Sequence, residues 1–426
     1  MSYQSSIDSF NEKRFARHRN DLDHTSGRLG LSSSDLDLLL KSISSFKVAI
    51  PSWALGTGGT RFGRFPLGGE PRNLEEKIED VGVISELSRA TNSISLHIPW
   101  DIPSNVDDVM VLLKEHKLTI DAVNSNTFQD QSNQEYSYRY GSLCHTQRVV
   151  RQQAIDHNIE VINHGVAMGS KSLSVWLSDG SSFPGQMDFR KSYQYTVESL
   201  QQIYKAMPSD WTMLIEYKPY EPNFYSMVLP DWGTSLKMCE ACGPQAHVLV
   251  DLGHHLPNTN IEQIVARLLH FGKLGGFHFN GSQYGDDDLT TGSIKPYQLF
   301  LIFAELVSGA QDKSLTNPDV AYMIDASHNI KDPIEDLMMS LENIRVAYAK
   351  ALLIDFASLA TAQESNDVVA AEEILQRAFQ ADVRPVIAEA RRREGGALDP
   401  IAFFRESKIR QQLINGRGKH AMATGL

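Results

Sequence analysis

The sequence predicts an α/β protein: a (β/α)₈ barrel of the TIM type with helical extensions at both ends. Three observations predict it. Eight short apolar, β-branched runs recur along the chain, longer helical patterns separate them, and each run ends in residues able to bind or stack. Strands alternating with helices imply right-handed βαβ units and a parallel sheet. Eight such units close a barrel, whose functional face lies at the carboxyl ends of the strands.

The runs begin with FKVAIPSW (46–53), ISLHIPW (94–100), LTIDAVNSNTF (118–128) and SLSVWLSDG (172–180). WTMLIEYKP (211–219), HVLVDLGHH (247–255), GGFHFNG (275–281) and AYMIDASHN (321–329) complete the set. Helical patterns between them include NLEEKIEDVGVISELSRA, RVVRQQAIDHNIEVINHGVAMG, NIEQIVARLLHFGKLG and DPIEDLMMSLENIRVAYAKAL. The barrel is therefore assigned to 46–360, with a helical arm over 1–45 and a helical extension over 361–426. A barrel does not need these flanks, so they are expected to serve oligomerisation. A doubly wound sheet would instead carry G-x-G-x-x-G after its first strand, opening a helix. GTGGTRFG (56–63) does follow the first run, but Pro66 comes next and discourages a helix. No Gly-Lys-Ser/Thr follows either. The segment is read as a flexible loop at the site.

The 426 residues are 42% hydrophobic and 22% charged, so a large buried core is affordable in sequence terms. The net charge of −12 offers nothing to nucleic acid or an anionic membrane surface. No uncharged apolar stretch approaches the ~20 residues of a membrane span, and MSYQSSIDSFNEKRF lacks a signal peptide's apolar region. Three cysteines do not make a disulfide framework, which points to the reducing cytoplasm. Cys239 and Cys242 form C-x-x-C without a second pair and are read as two buried thiols on one helix face. The basic run Arg391 to Arg393 is read as a solvated helix face.

The strand ends carry the chemistry. Trp53 closes the first run, His97 the second, Asn124 and Asn126 the third, and Trp176 the fourth. Glu216 and Lys218 close the fifth, Asp251 and His254 the sixth; His278 lies in the seventh and Asp325 in the eighth. Three carboxylates brought to one rim repel and raise each other's pKa values. Lys218 alone cannot neutralise Glu216, Asp251 and Asp325. A divalent cation can, and an oxygen-rich set with one imidazole, His278, suits Mn²⁺, Mg²⁺ or Co²⁺. The D-D-D run after strand seven adds a second cluster: Asp286 and Asp288 face one point with His254, while Asp287 faces away. Each residue also has a plainer reading, such as a Glu216–Lys218 salt bridge, core histidines at 97 and 278, or Asp325 and His328 capping a helix. His255 is read as supporting a ligand or as structural, rather than as a ligand itself. All the plainer readings holding at one rim is the harder proposition.

The pattern E-x-K, D-x-x-H, HFN, D-x-D and a final aspartate resembles the xylose-isomerase-like superfamily. PSWALGTGGTRFGRFP, SLHIPWD, NSNTF, GSSFPGQ, VDLGHHLPNTNIE, GGFHFNGSQYGDDDL and MIDASHN are similar to the L-rhamnose isomerases, in the broad-specificity branch that also handles D-allose. The resemblance covers nearly the whole chain. It implies a metal-dependent aldose–ketose isomerase of carbohydrate metabolism, interconverting L-rhamnose and L-rhamnulose and also D-allose and D-psicose. It implies a homotetramer with two divalent cations per subunit, Mn²⁺ foremost and Co²⁺, Mg²⁺ or Zn²⁺ as the others. Glu216, Asp251, His278 and Asp325 then resemble the ligands of a structural ion, and His254, Asp286 and Asp288 those of a catalytic ion. Lys218 is similar to the lysine that contacts the sugar oxygens. His97, Trp53 and Trp176 look like sugar-contacting residues, and Phe62 is expected to close over a neighbouring subunit's site. Gly281 departs from the pattern, which leads one to expect aspartate after HFN.

Two routes stay open: a metal-assisted 1,2-hydride shift, or enediol proton transfer with Glu216 or Asp325 as base. Superfamily analogy favours the first. A metal-dependent hydrolase on the same barrel would want H-x-H at the end of strand one, where this chain has Pro-Ser-Trp. A sugar epimerase of the same superfamily and a non-catalytic, metallated sugar-binding protein remain as alternatives. Chain length and the terminal arms disfavour the epimerase, and Lys218 beside the carboxylates disfavours the binding protein.

Overall fold

A computed structural model describes residues 2–57, 64–132, 134–315, 319–328 and 330–423. Each of the eight runs contains a strand. They are β1 (Ile50–Pro51), β2 (Ser93–Ile98), β3 (Thr119–Ser125), β4 (Ser172–Val175), β5 (Thr212–Glu216), β6 (Ala246–Asp251), β7 (Leu274–Phe279) and β8 (Ala321–Ile324). All pair in parallel and in chain order. A bridge between Ala49 and Met323 closes the ring, with Ala49 N–H donating to Tyr322 O at 2.7 Å and Ile324 N–H to Ala49 O at 3.1 Å. The barrel expected from the alternation is therefore present.

Burial explains the sequence of these strands. A parallel strand covered on both faces reads as a continuous apolar run, and every residue of β6 and β7 is buried. Gly275 is required by close approach, since a Cβ there would lie 2.5 Å from the Cβ of His247. Five of the barrel helices start on side-chain caps: Asn73, Asn105, Asp188, Asp231 and Asp332 each accept from a first-turn N–H. Such caps are worth about 1 kcal/mol each. A small antiparallel pair, Gly180–Ser181 with Ser226–Met227, ties the loops that follow β4 and β5. Lys218 N–H also donates to Leu229 O at 2.9 Å, fixing the chain just beyond β5.

The terminal helices fold back on their own barrel. Leu22, Leu39, Leu40 and Ile43 of the N-terminal helices (Gln4–Leu29 and Ser33–Ser45) form one core with Val383, Val386, Ile387 and Ala390. Ala349, on the last barrel helix (Pro333–Ala351), joins them. Ile7, Phe10, Phe403, Phe404 and Ile409 merge with the main core.

Two readings change here. Arg391 is not on a solvated face: it is buried, with Nη1 on Glu342 at 2.6 Å and Nε on Ala397 O at 2.8 Å. It follows Ile387 by four and so shares the apolar stripe of its helix, and the turn after the helix puts the Ala397 and Leu398 carbonyls within its reach. Arg392 and Arg393 do stay near solvent, both holding Glu389. Of the two C-x-x-C thiols, Cys239 is buried but Cys242 only partly so. Burial pushes them up to about 12 and about 11, which makes both poor nucleophiles. Among the described residues, no helix is long and apolar enough to cross a membrane.

Candidate metal centre

The strand ends deliver the site. Glu216 and Asp251 are the last residues of β5 and β6, His278 is the penultimate residue of β7, and Asp325 follows β8. His254 and Asp286 approach from the loops after β6 and β7. Two groups of donor atoms result, each within 4.8 Å of one another: Glu216, Asp251 and His278 form one, Asp251, His254 and Asp286 the other. Asp251 belongs to both.

Distances within the cluster are short. Glu216 Oε1 lies 3.1 Å from His254 Nδ1 and 3.3 Å from His278 Nδ1. His278 Nδ1 is also 3.6 Å from Asp325 Oδ2 and 3.8 Å from Asp251 Oδ2. His254 Nε2 is 3.1 Å from Asp286 Oδ1. Asp251 is clasped on one oxygen, where Gly253 N–H (2.6 Å) and Asn280 Nδ2 (2.9 Å) donate to Oδ1. Its Oδ2, like His278 Nδ1, is buried without a hydrogen-bond partner among the described residues. Native buried polar atoms are nearly always satisfied, so a pair of orphans facing each other fits an ion-binding pocket. The oxygen-rich donor set fits a hard divalent cation.

Electrostatics agree with the geometry. Burial pushes Asp251 up to about 6, eased by His254 and reinforced by Glu216 and Asp325. Burial also works against charge on Glu216, but His278 and His254 outweigh it and hold the carboxyl at about 2. The same carboxylates outweigh burial at the imidazoles, lifting His278 to about 9 and His254 well above its ordinary value. Burial raises Asp325 as well. The pocket thus demands positive charge.

These groups form the floor of a cavity of about 540 Å³. Its walls are aromatic. Trp53 and His97 meet edge to face at 5.4 Å, His97 and Trp100 lie 4.3 Å apart, and Phe128 contacts Trp176 at 5.0 Å. Burial, with His157 nearby, lowers His97 to about 3, so its imidazole is neutral at neutral pH. Trp53 Nε1 donates to Asp325 Oδ1 at 2.9 Å, linking wall to floor. Lys218 is buried, its ammonium bonded to Asp286 and Glu221 and 5.4 Å from the Trp176 ring centroid.

The structure brings together Trp53, His97, Trp176, Glu216, Lys218, His254, His278, Asp286, Asp288 and Asp325 in one cavity, with Asp251 beneath it. Asp288 sits at its edge, its Oδ1 3.5 Å from Asn280 Nδ2. Asp286 and Asp288 both adopt a φ of 50°, a left-handed conformation that aspartate tolerates better than most residues. Asp287 turns away and binds the N–H groups of Gln283, Tyr284 and Gly285. His255 bonds Tyr217 Oη at 2.6 Å, a packing role. Asn126 does not join the cavity: it is fully buried elsewhere, its N–H on His157 Nε2. Phe62 lies outside the described residues. His328 caps no helix; its Nδ1 lies 2.8 Å from Asp336 Oδ2.

Glu221, Trp100, Phe128 and Asn280 are site residues that escaped the sequence reading. Glu221, Trp100 and Phe128 sit in loops beyond the strand ends, where period-two patterning gives no cue. Asn280 was visible in HFN but carries no charge to draw notice. It also explains Gly281. A Cβ at 281 would lie 2.6 Å from Thr290 O, because Gly281 pairs with Leu289 across the loop. An aspartate does not fit there, and Asn280 supplies the contact to Asp251 and Asp288 instead.

No family model matches the chain. It is 48% identical over 417 residues to a protein named "probable sugar isomerase" of Rhizobium meliloti, spanning 98% of this chain and 97% of that one. A second protein of that name, from Mesorhizobium japonicum, is 47% identical over 410 residues, 95% of each chain. Among solved structures, a xylose isomerase domain protein of Alicyclobacillus acidocaldarius superposes with a TM-score of 0.52 at 11% identity. It covers 72% of this chain and 99% of its own. An L-ribulose 3-epimerase gives 0.51 at 14% identity, covering 76% and 98%. Those two likenesses concern the barrel. Identity near one half along almost the entire length is a stronger statement, and by it the chain belongs to the sugar isomerase family of these rhizobial proteins.

Proposed function

We propose that this protein is a metal-dependent aldose–ketose isomerase acting on L-rhamnose and L-rhamnulose, and on D-allose and D-psicose. One observation carries the reading: two convergent carboxylate–imidazole groups share Asp251 beneath an aromatic-walled cavity that also holds a buried lysine. Glu216, Asp251, His278 and Asp325 would hold one divalent ion; His254, Asp286 and Asp288 would hold the second, and Asp251 belongs to both donor groups. Mn²⁺ is the proposed metal, and a homotetramer in the cytoplasm the proposed setting. When bound, such a cation supplies Lewis acidity that polarises a carbonyl and acidifies the adjacent hydroxyl.

The chain's own residues supply the rest. Trp53, His97 and Trp176 offer faces on which the C–H side of a sugar stacks, and the neutral His97 offers a nitrogen to a hydroxyl. Lys218 places positive charge where oxygen charge develops at O1 or O2. Isomerisation moves one hydrogen from C2 to C1 while the O2 proton passes to O1. A 1,2-hydride shift, the favoured route, leaves Glu216 and Asp325 as ligands only. An enediol route would require one of them to take the C2 proton.

The test uses purified protein, a chelator and a panel of aldoses. Chelation should abolish ketose formation, and Mn²⁺ or Co²⁺ should restore it, with L-rhamnose and D-allose leading the panel. Full activity in metal-free protein contradicts the reading, and conversion of ketoses only at C3 would favour an epimerase. Turnover in deuterated water should leave little deuterium at C2; extensive incorporation would favour the enediol route.

A further inference from the structure

Asp101 lies behind the aromatic wall, three residues past β2, and is 1% exposed. Its carboxylate accepts from the Ser52 hydroxyl, from the His97 backbone N–H at 2.7 Å and from Lys77 Nζ at 2.6 Å. Its own N–H donates to His97 O at 2.9 Å. Lys77 projects from the helix Leu74–Ser88, and neither side chain of the pair has any exposure. Neither Asp101, Lys77 nor Ser52 lines the cavity, whereas their chain neighbours Trp53, His97 and Trp100 do.

A buried ion pair is a poor way to gain stability, since apolar residues of the same volume do as well or better. What this pair provides is geometry. One carboxylate joins the end of β1, through Ser52, to the end of β2, through the His97 backbone. Those two strand ends carry three of the rings that shape the cavity, and Trp53 in turn holds Asp325.

We propose that Asp101, anchored by Lys77, is the positioning residue of the aromatic wall. It fixes Trp53, His97 and Trp100 and so sets which sugars fit. The inference rests on the isomerase reading for its ligand, and two variants test it in full-length, Mn²⁺-loaded protein. Ser52→Ala removes one clasp and leaves the Lys77–Asp101 pair intact, so folding is safe. Asp101→Asn keeps the shape and removes the charge.

Both should raise KM for the aldose that wild type turns over, by about tenfold in Asp101→Asn, with kcat changed less than about threefold. Mn²⁺ affinity should match wild type, and Ser52→Ala, which loses one hydrogen bond to a buried carboxylate, should fold cooperatively with only a slightly lower melting temperature. A purely structural role would lower the melting temperature without that split between KM and kcat. Acrylamide quenching of tryptophan emission reads the wall without turnover, and it should increase in both variants. KM values within about twofold of wild type and unchanged quenching overturn the proposal. A wild type that isomerises no aldose overturns the isomerase reading instead, and quenching then decides on Asp101 alone.

Discussion

Asp251 and Asp288 show how differently two carboxylates of one site are built. Asp251 is fully buried and holds Gly253 N–H and Asn280, so its loss orphans both donors. Asp288 sits on the loop after β7 with a looser contact to Asn280. Asp251→Ala should therefore lower stability by about 3 kcal/mol as well as abolish turnover. Asp288→Asn, which the left-handed backbone tolerates, should cut kcat more than about a hundredfold, beyond the loss of an outer contact, while melting like wild type. Equal melting temperatures in Mn²⁺ buffer would contradict this division. At this scale the sequence spoke clearly wherever a charged residue ended an apolar run, as at Glu216 and Asp251. It was silent at Trp100 and Phe128, whose placement depends on loop paths that no local pattern encodes. Gly281 was legible only as a departure, and the 2.6 Å approach of Thr290 O supplies its reason.

At the scale of elements, the strands were the legible part. Parallel strands covered on both faces are mostly apolar, and all eight runs contain one. The terminal helices were legible as helices, but the charged run at 391–393 concealed that one arginine faces inward. These helices are stitched by Glu389, which holds His18 Nε2 at 3.0 Å together with Arg392 and Arg393. Burial alone would raise this carboxyl, but Arg392, His18 and Arg393 hold it well below its ordinary 4.5. A depressed carboxyl contributes stability that is complete above the unfolded-state value and lost as the pH falls through the folded-state value. Wild type should thus melt above Glu389→Gln by a constant margin from pH 7 down to about 5, and the margin should shrink below that. Thermal melts of both proteins across this range check it; a margin that widens in acid would contradict the assignment.

For the whole molecule, the barrel fixes where chemistry is placed and the flanks cover its outside. The N- and C-terminal helices share a core with the last barrel helix, so they belong to the folding unit. Assembly into a tetramer is a separate proposal, and light scattering should return four times the 47.6 kDa chain mass. A monomer mass would refute it. Carboxylates and imidazoles from separate strands gather at one rim, where they are proposed to hold cations against a sugar cavity. Anomalous diffraction from a manganese-soaked crystal tests this most directly. Two peaks are predicted, one bounded by Glu216, Asp251, His278 and Asp325, the other by His254, Asp286 and Asp288. No anomalous density at that rim, with Glu216 and Asp286 still bonded to the histidines, would contradict it.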